Sequence, residues 1–294
     1  MFTELFDRFL KEYKTEGNEH INARKIANIL KNEINSELRP IKYNIDAWRF
    51  KIKYDMYTWK FKLTSKNAVS KKIERPKIVL TFDDNHADVY NNAYSLMKKY
   101  GIPGTMYTVT NWVDNQGRLS VEQMEEMHQN GWTMANHTNT HTGLGRKTID
   151  KQMEMMYNAK VWLEENGFEE GSDHVAYPCD FRDDNTLVAM ENLDMKTGRS
   201  CLISPAQPDH DLYLLPVCYV FNDTPINYML NFADYCRGKT AIYLFHNIVD
   251  NPATIWDNST AKFTEFIQKM QIKNPEYYTI DKWYDLFVDK PLKV

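Results

Sequence analysis

Cysteine is scarce in this chain: four in 294 residues, Cys179, Cys201, Cys218 and Cys236, all in the C-terminal half and none in a Cys-x-x-Cys pair. That spacing excludes a zinc ribbon and a dense disulfide framework, and leaves buried thiols as the expectation. An excess of one charge is also lacking. The 36 Lys and Arg stand against 40 Asp and Glu, a formal net charge of −4 with acids and bases interspersed. No basic stripe is available to neutralise a phosphate backbone, so nucleic acid is not expected as a partner. No apolar run approaches the ~18 residues of a membrane span, and the N-terminal MFTELFDRFLKEYKTEG mixes charge throughout, unlike a signal peptide. The expectation is a protein without a membrane span, cytoplasmic or carried in a virus particle rather than classically secreted. Internal repeats and low-complexity segments are absent as well.

What is present is 43% apolar residues, enough for one large core or one core and a small satellite. The character of the chain changes near SKKIERP, residues 70–76, which we take as the boundary between a segment 1–75 and a segment 76–294. Upstream, FTELFDRFLKEY and INARKIANILKNEI carry apolar residues at helical spacing, while WRFKIKY and TWKFKL alternate aromatic or aliphatic residues with Lys or Arg. Two helices and a two-stranded ribbon follow, a small α+β extension suited to attachment to a partner, an assembly or a glycan. Downstream, strand and helix alternate: KIVLTF, DVYNNAYSLMKKYG, GTMYTVT, SVEQMEEMHQNG, WTMANH, TIDKQMEMMYNAKVWLEENG and HVAYP, then AIYLFH and the closing helices TAKFTEFIQKMQ and IDKWYDLFVDK. Such alternation means parallel pairing with right-handed crossovers, in an α/β barrel or an open sheet. In both, the strand C-termini form the functional rim.

Polar residues fall at those strand ends: Asp83 and Asp84 after IVLTF, His137 and His141 in HTNTH, His246 in LFH. A His-x-x-x-His pair can set both rings on one side of a turn, and one carboxylate added to it makes a three-ligand set with a position open for water. Asp84, His137 and His141 on a Zn²⁺-like ion would activate that water. Asp83, left without a ligand role, is placed to take its proton, and His246, from the opposite side, to return one to a leaving group.

With these residues on the page, the chain resembles the NodB-homology polysaccharide deacetylases, carbohydrate esterase family 4, from about residue 76 to about 287. TFDD, HTNTH, the terminal LFH and the filler KKYGIPGTMYTVTNWV carry the resemblance. It implies a distorted (β/α)7 barrel and metal-assisted hydrolysis of an N-acetyl, less readily an O-acetyl, group on a glycan. It also implies Asp83 as base, Asp84, His137 and His141 as metal ligands and His246 as acid. Zinc is the first expectation for the ion, with Co²⁺, Ni²⁺ or Fe²⁺ also compatible with nitrogen and oxygen ligands. The family's third motif, usually Arg-x-Pro-aromatic, here reads Ala176-Tyr177-Pro178-Cys179. The arginine expected to orient the base is missing there, as in a branch that includes biofilm poly-N-acetylglucosamine deacetylases. The backbone N–H of Cys179 is implied as an oxyanion donor. The fourth motif has no match around LLPVCYVFND, and the Gly that usually follows the Asp pair is Asn85, which tolerates a left-handed backbone.

Trp112, Tyr107, Tyr177 and Phe181 are candidates to wall a sugar groove, against the plainer alternative that they are core. His20, His86, His128, His174 and His210 read as surface or structural, with His86 and His174 close to the motifs. Two rival functions stand beside deacetylation: a catalytically inactive glycan-binding protein on the same barrel, motivated by the missing arginine and the unmatched fourth motif, and a non-haem Fe(II) oxygenase with a two-histidine, one-carboxylate triad.

Overall fold

The computed structural model describes residues 74–209 and 211–288. The two helices and ribbon expected upstream, with His20 and His210, lie outside the described residues, as does the region that would test the boundary near residue 75.

The apolar run KIVLTF becomes the central strand β1, Lys77–Asp83, buried along nearly its whole length, as a strand covered on both faces must be. It is followed by a π-helical turn, Val89–Tyr94, running into α1, Ser95–Lys99. Next come β2 (Thr105–Thr108), α2 (Val121–Gln129), β3 (Thr133–Asn136), α3 (Ile149–Glu165), the short α4 (Glu169–Ser172) and β4 (His174–Ala176). The chain continues with α5 (Asp184–Asn192), β5 (Thr197–Arg199), β6 (Cys218–Tyr219), α6 (Ile226–Tyr235) and β7 (Thr240–Phe245). It closes with a small pair, β8 (Ile248–Val249) and β9 (Asn258–Ser259), then α7 (Thr260–Ile272), β10 (Glu276–Tyr278) and α8 (Ile280–Phe287). Helix starts carry the caps their sequences offer. Ser120 and Gln123 form a reciprocal capping box at α2, and Thr148 and Ser259 cap α3 and α7.

All main-sheet pairings are parallel, in the order β5-β4-β3-β2-β1-β7-β6, with β10 against the first half of β1. The sheet curls into a distorted (β/α) barrel. Residues 211–217 draw its two edges together: Leu215 bridges Arg199 in parallel, its N–H donating to Gly198 O at 2.8 Å while its carbonyl accepts from Ser200 N at 2.9 Å. On the sheet's face, Phe82 stacks on Trp132 and Phe245 and meets Phe263 edge-on.

The two poles of the barrel differ. At the strand starts, α8 docks onto hydroxyls that begin three of the strands. Thr105 Oγ1 accepts from Ile280 N at 3.0 Å, Thr133 Oγ1 donates to Asp281, and Thr240 Oγ1 accepts from Trp283 Nε1 at 2.9 Å. Thr197 meets His174 at 2.9 Å, and the His174 ring lies edge-on to Tyr284. The opposite pole, at the strand C-termini, holds the other polar residues singled out above. Among the described residues no helix is long and apolar enough to cross a membrane.

Candidate active site

Asp83 closes β1, and the chain then turns through two left-handed residues, Asp84 (φ 73°) and Asn85 (φ 40°). Asn85 does more than tolerate that backbone. It is fully buried, and its Oδ1 accepts from Val109 N at 3.1 Å while its carbonyl accepts from Leu119 N at 2.8 Å, tying the turn to the end of β2. Asp83 and Asp84 therefore diverge from one junction.

His137 follows β3 directly, and Thr138 (φ 61°) and His141 (φ 58°) bend the next residues back on themselves. Thr138 Oγ1 accepts from His141 N at 3.2 Å, and the two histidine rings meet at 4.8 Å between centroids. Asp84 Oδ1 lies 3.1 Å from His141 Nε2 and 3.5 Å from His137 Nε2. Ligand atoms of Asp84, His137 and His141 all fall within 4.8 Å of one another.

This set fits a divalent cation on two observations. His137 Nδ1 lies 2.8 Å from Ala176 O, which can only accept, so the proton sits on Nδ1 and Nε2 turns a lone pair toward Asp84. Asp84 Oδ1 is buried and accepts no hydrogen bond although both histidines stand beside it. Lone pairs converging without a proton between them are what a bound cation resolves. Burial, with the neighbouring His141 imidazole, pushes the His137 pKa down to about 3, keeping the ring neutral. Burial alone would raise the Asp84 carboxyl; the hydrogen-bonding partner His86 and the surrounding imidazoles of His141, His246 and His137 outweigh it and hold that carboxyl well below the usual carboxylate range.

Asp83 stands 3.8 Å from His137 Nε2 and pairs on its other side with Arg199, whose Nη2 donates to Oδ2 at 2.5 Å. Both are almost fully buried. Burial raises the Asp83 pKa, and Arg199, followed by His246, opposes the rise. An arginine on the base is thus present, although the third motif lacks one. It ends β5, where it is the register partner of Ala176 on β4, so it projects from the same side of the sheet as the position that was read as vacant. It lies on a strand of three residues, too short to show a period in the sequence. Gly198 is there because a Cβ would meet Tyr177 Oη at 2.0 Å and Tyr213 O at 2.8 Å.

His246 follows β7 opposite the histidine pair. Its ring lies nearly parallel to Tyr219 at 5.6 Å and is flanked by Trp256 at 5.3 Å. Its Nδ1 is buried and makes no hydrogen bond. Burial lowers its pKa, against the pull of Asp84 and Asp83. No carboxylate from the segment LLPVCYVFND orients it; β6 supplies the face of Tyr219 instead. Cys179 occupies a left-handed position (φ 56°) in the turn after β4.

Other expectations are corrected. Tyr107 and Tyr177 are buried and cannot wall a groove, whereas Trp112, 5.0 Å from the His141 ring, is part-exposed and Phe181 is exposed. Cys218 and Cys236 are buried thiols, but Cys179 is exposed and Cys201 intermediate. His174 is structural at the opposite pole. His86, read as surface or structural, stands at the site: its Nε2 is 3.8 Å from Asp84 Oδ2, and Arg118 packs on its ring while donating to Asp84 O at 2.6 Å.

A curled parallel barrel with carboxylates and histidines gathered at its C-terminal rim defines a (β/α)-barrel of the carbohydrate esterase 4 type. Residues 70–198 match the polysaccharide deacetylase family model. The protein YxkH of Bacillus subtilis, whose name places it among polysaccharide deacetylases, is 31% identical over 145 residues, 49% of this chain and 52% of that one. A poly-beta-1,6-N-acetyl-D-glucosamine N-deacetylase of Staphylococcus epidermidis is 27% identical over 166 residues, 52% of this chain and 57% of that one. The chain spans about half the length of these curated relatives. Among solved structures, the Streptococcus pyogenes deacetylase PplD in complex with acetate aligns with TM-score 0.51 at 24% identity, covering 63% of this chain and 85% of that one. The Xyl-CE4 domain of a multidomain xylanase from the hindgut metagenome of Trinervitermes trinervoides aligns with TM-score 0.53 at 16% identity, covering 72% and 91%. These two likenesses speak for the fold.

Proposed function

We propose that the chain is a metal-dependent hydrolase that removes N-acetyl groups from a glycan, releasing acetate and a free amino sugar. The observation that carries this reading is the convergence of Asp84, His137 and His141 beside the Asp83–Arg199 pair. A divalent cation held by the three ligands would lower the pKa of a water molecule and polarise the acetamide carbonyl. Asp83, raised toward neutrality by burial, accepts the proton of the attacking water, and Arg199 fixes the carboxylate's orientation during that transfer. The backbone N–H at Cys179 donates to the oxygen that becomes negative as the carbonyl carbon turns tetrahedral. His246 gives a proton to the amine nitrogen as the C–N bond breaks. The name of the staphylococcal relative supports an N-acetylglucosamine polymer as substrate, and the Tyr177-Pro178 motif supports placement in the same branch. Arg199 beside Asp83 weighs against one of the two motives for an inactive, glycan-binding reading, the missing arginine.

The test is acetate release from chitooligosaccharides, poly-N-acetylglucosamine fragments, peptidoglycan fragments and UDP-N-acetylglucosamine, comparing chelator-stripped protein with Zn²⁺- and Co²⁺-loaded protein and with Asp83→Asn. Metal-dependent release that falls at least ~10²-fold in Asp83→Asn is expected. No release from any substrate, with metal and glycan still bound, would move the protein to the binding class.

A further inference from the structure

The chain after β2 folds back over the turn that carries Asp84. Ala87 N donates to Gly117 O at 3.0 Å and Leu119 N to Asn85 O at 2.8 Å, and between these bonds His86 and Arg118 pair as an antiparallel bridge. That pairing brings the part-buried Arg118 to the edge of the candidate metal centre. Its Nη1 donates to Asp84 O at 2.6 Å and lies 3.2 and 3.1 Å from the two ring nitrogens of His86. Near-equal distances to both place it over the ring, not in line with either lone pair. Its Cζ stands 4.3 Å from the centroid of Trp112, and Trp112 is itself 5.0 Å from the His141 ring. The Asp84 carboxylate is divided accordingly. Oδ1 is the oxygen nearest His141 and His137, at 3.1 and 3.5 Å, and Oδ2 the one nearest His86, at 3.8 Å.

Resting on the metal-dependent reading above, we infer that Arg118 is a positioning residue of this centre: with His86 it holds Asp84 to donation through one oxygen, and so sets which divalent ions the site prefers. A charged donor on the Asp84 carbonyl fixes that peptide. The same guanidinium, lying over His86, keeps that ring's Nε2 beside Oδ2. Groups that orient a ligand carboxylate tune the ion it holds. Two imidazole nitrogens and one carboxylate oxygen suit Zn²⁺ or Co²⁺, whereas a second oxygen from a carboxylate free to rotate would favour Mn²⁺.

The test reads ion affinity, not turnover. Chelator-stripped full chain is titrated with Zn²⁺, Co²⁺ and Mn²⁺ against a chromophoric chelator, and the visible absorption of the Co²⁺ form is recorded. Arg118→Gln should weaken Zn²⁺ and Co²⁺ at least ~10-fold, leave Mn²⁺ within about threefold and change the Co²⁺ band. Arg118→Lys keeps a charged donor for Asp84 O but cannot lie flat on His86 and Trp112, and should recover part of the affinity. His86→Ala should reproduce Arg118→Gln, whereas His86→Gln, whose amide can still donate to Oδ2, should stay within about threefold of the unsubstituted protein. Zn²⁺ and Co²⁺ affinities that move less than about threefold in both Arg118→Gln and His86→Ala, with the Co²⁺ band unchanged, would overturn the assignment. So would an equal loss for all three ions accompanied by a lower metal-free melting temperature, which would make Arg118 a brace of the loop. An unsubstituted protein that takes up none of the three ions would instead overturn the metal-dependent reading, and the role of Arg118 with it.

Discussion

Arg199 carries a permanent charge into a place almost closed to water, where Asp83 is its carboxylate partner and the Tyr107 ring lies 4.8 Å beneath it. A buried ion pair adds little net stability, but removing one partner leaves the other charge uncompensated. Arg199→Ala should therefore lower both the melting temperature and turnover, kcat falling ~10²-fold or more because Asp83 loses its orientation. With the guanidinium's opposition gone, burial raises the Asp83 pKa further, so the acid limb of kcat/KM should move to higher pH. Arg199→Lys should recover part of kcat, since a point charge restores the attraction without the planar fork. Metal content, measured by atomic absorption, should stay constant across the series. A kcat within threefold of the unsubstituted enzyme would remove Arg199 from the mechanism.

At the scale of the element, β4 and β5 act as one unit. Ala176 and Arg199 are register partners, and paired residues on parallel strands project to the same side. An arginine moved across the pair should reach the same carboxylate, so Ala176→Arg combined with Arg199→Ala should regain at least tenfold in kcat over Arg199→Ala alone. Failure to do so in a double variant that melts normally would show that the β5 backbone, and not merely the guanidinium, sets the geometry. The same pair shows what the sequence could and could not disclose. β1, β2, β3, β4 and β7 were legible because β-branched and aromatic runs end abruptly in polar residues, and the Asp83, Asp84, His137, His141 and His246 cluster could be placed from that pattern. The long helices announced themselves by their place between the strands. Between Cys179 and Cys236 the signals fade. β5 is three residues long with a glycine at its centre, demanded by the Tyr177 hydroxyl, and β6 is two residues long. Neither is long enough to show a period. Arg199 and the Tyr219 face on His246 were lost with them. The π-helical turn at Val89–Tyr94 was likewise hidden within an ordinary helical pattern.

Over the whole molecule, chemistry and cohesion occupy opposite ends of the barrel. The C-terminal rim concentrates buried polar groups that lack partners, a costly arrangement suited to a reacting centre. The other end is where α8 fastens Thr105, Thr133 and Thr240 together and His174 meets Thr197 between strands. That end gives stability a pH dependence of its own. Burial pushes the His174 pKa down to about 3, against the pull of Asp281, while in the unfolded chain the ring titrates near 6.5. Folding thus retains the neutral ring. The stability tied to it is complete above pH 6.5 and is lost progressively as pH falls toward 3, about tenfold in the folding constant per pH unit. His174→Gln keeps a side chain able to meet the Thr197 hydroxyl but does not titrate. Denaturant unfolding of both proteins in chelator, at half-unit steps from pH 7.5 to 5, should show the unsubstituted protein losing stability faster below pH 6.5, with the two curves parallel above it. Curves parallel throughout would mean that His174 is protonated in the folded state without penalty, and that the α8 pole does not exclude water as tightly as its packing indicates.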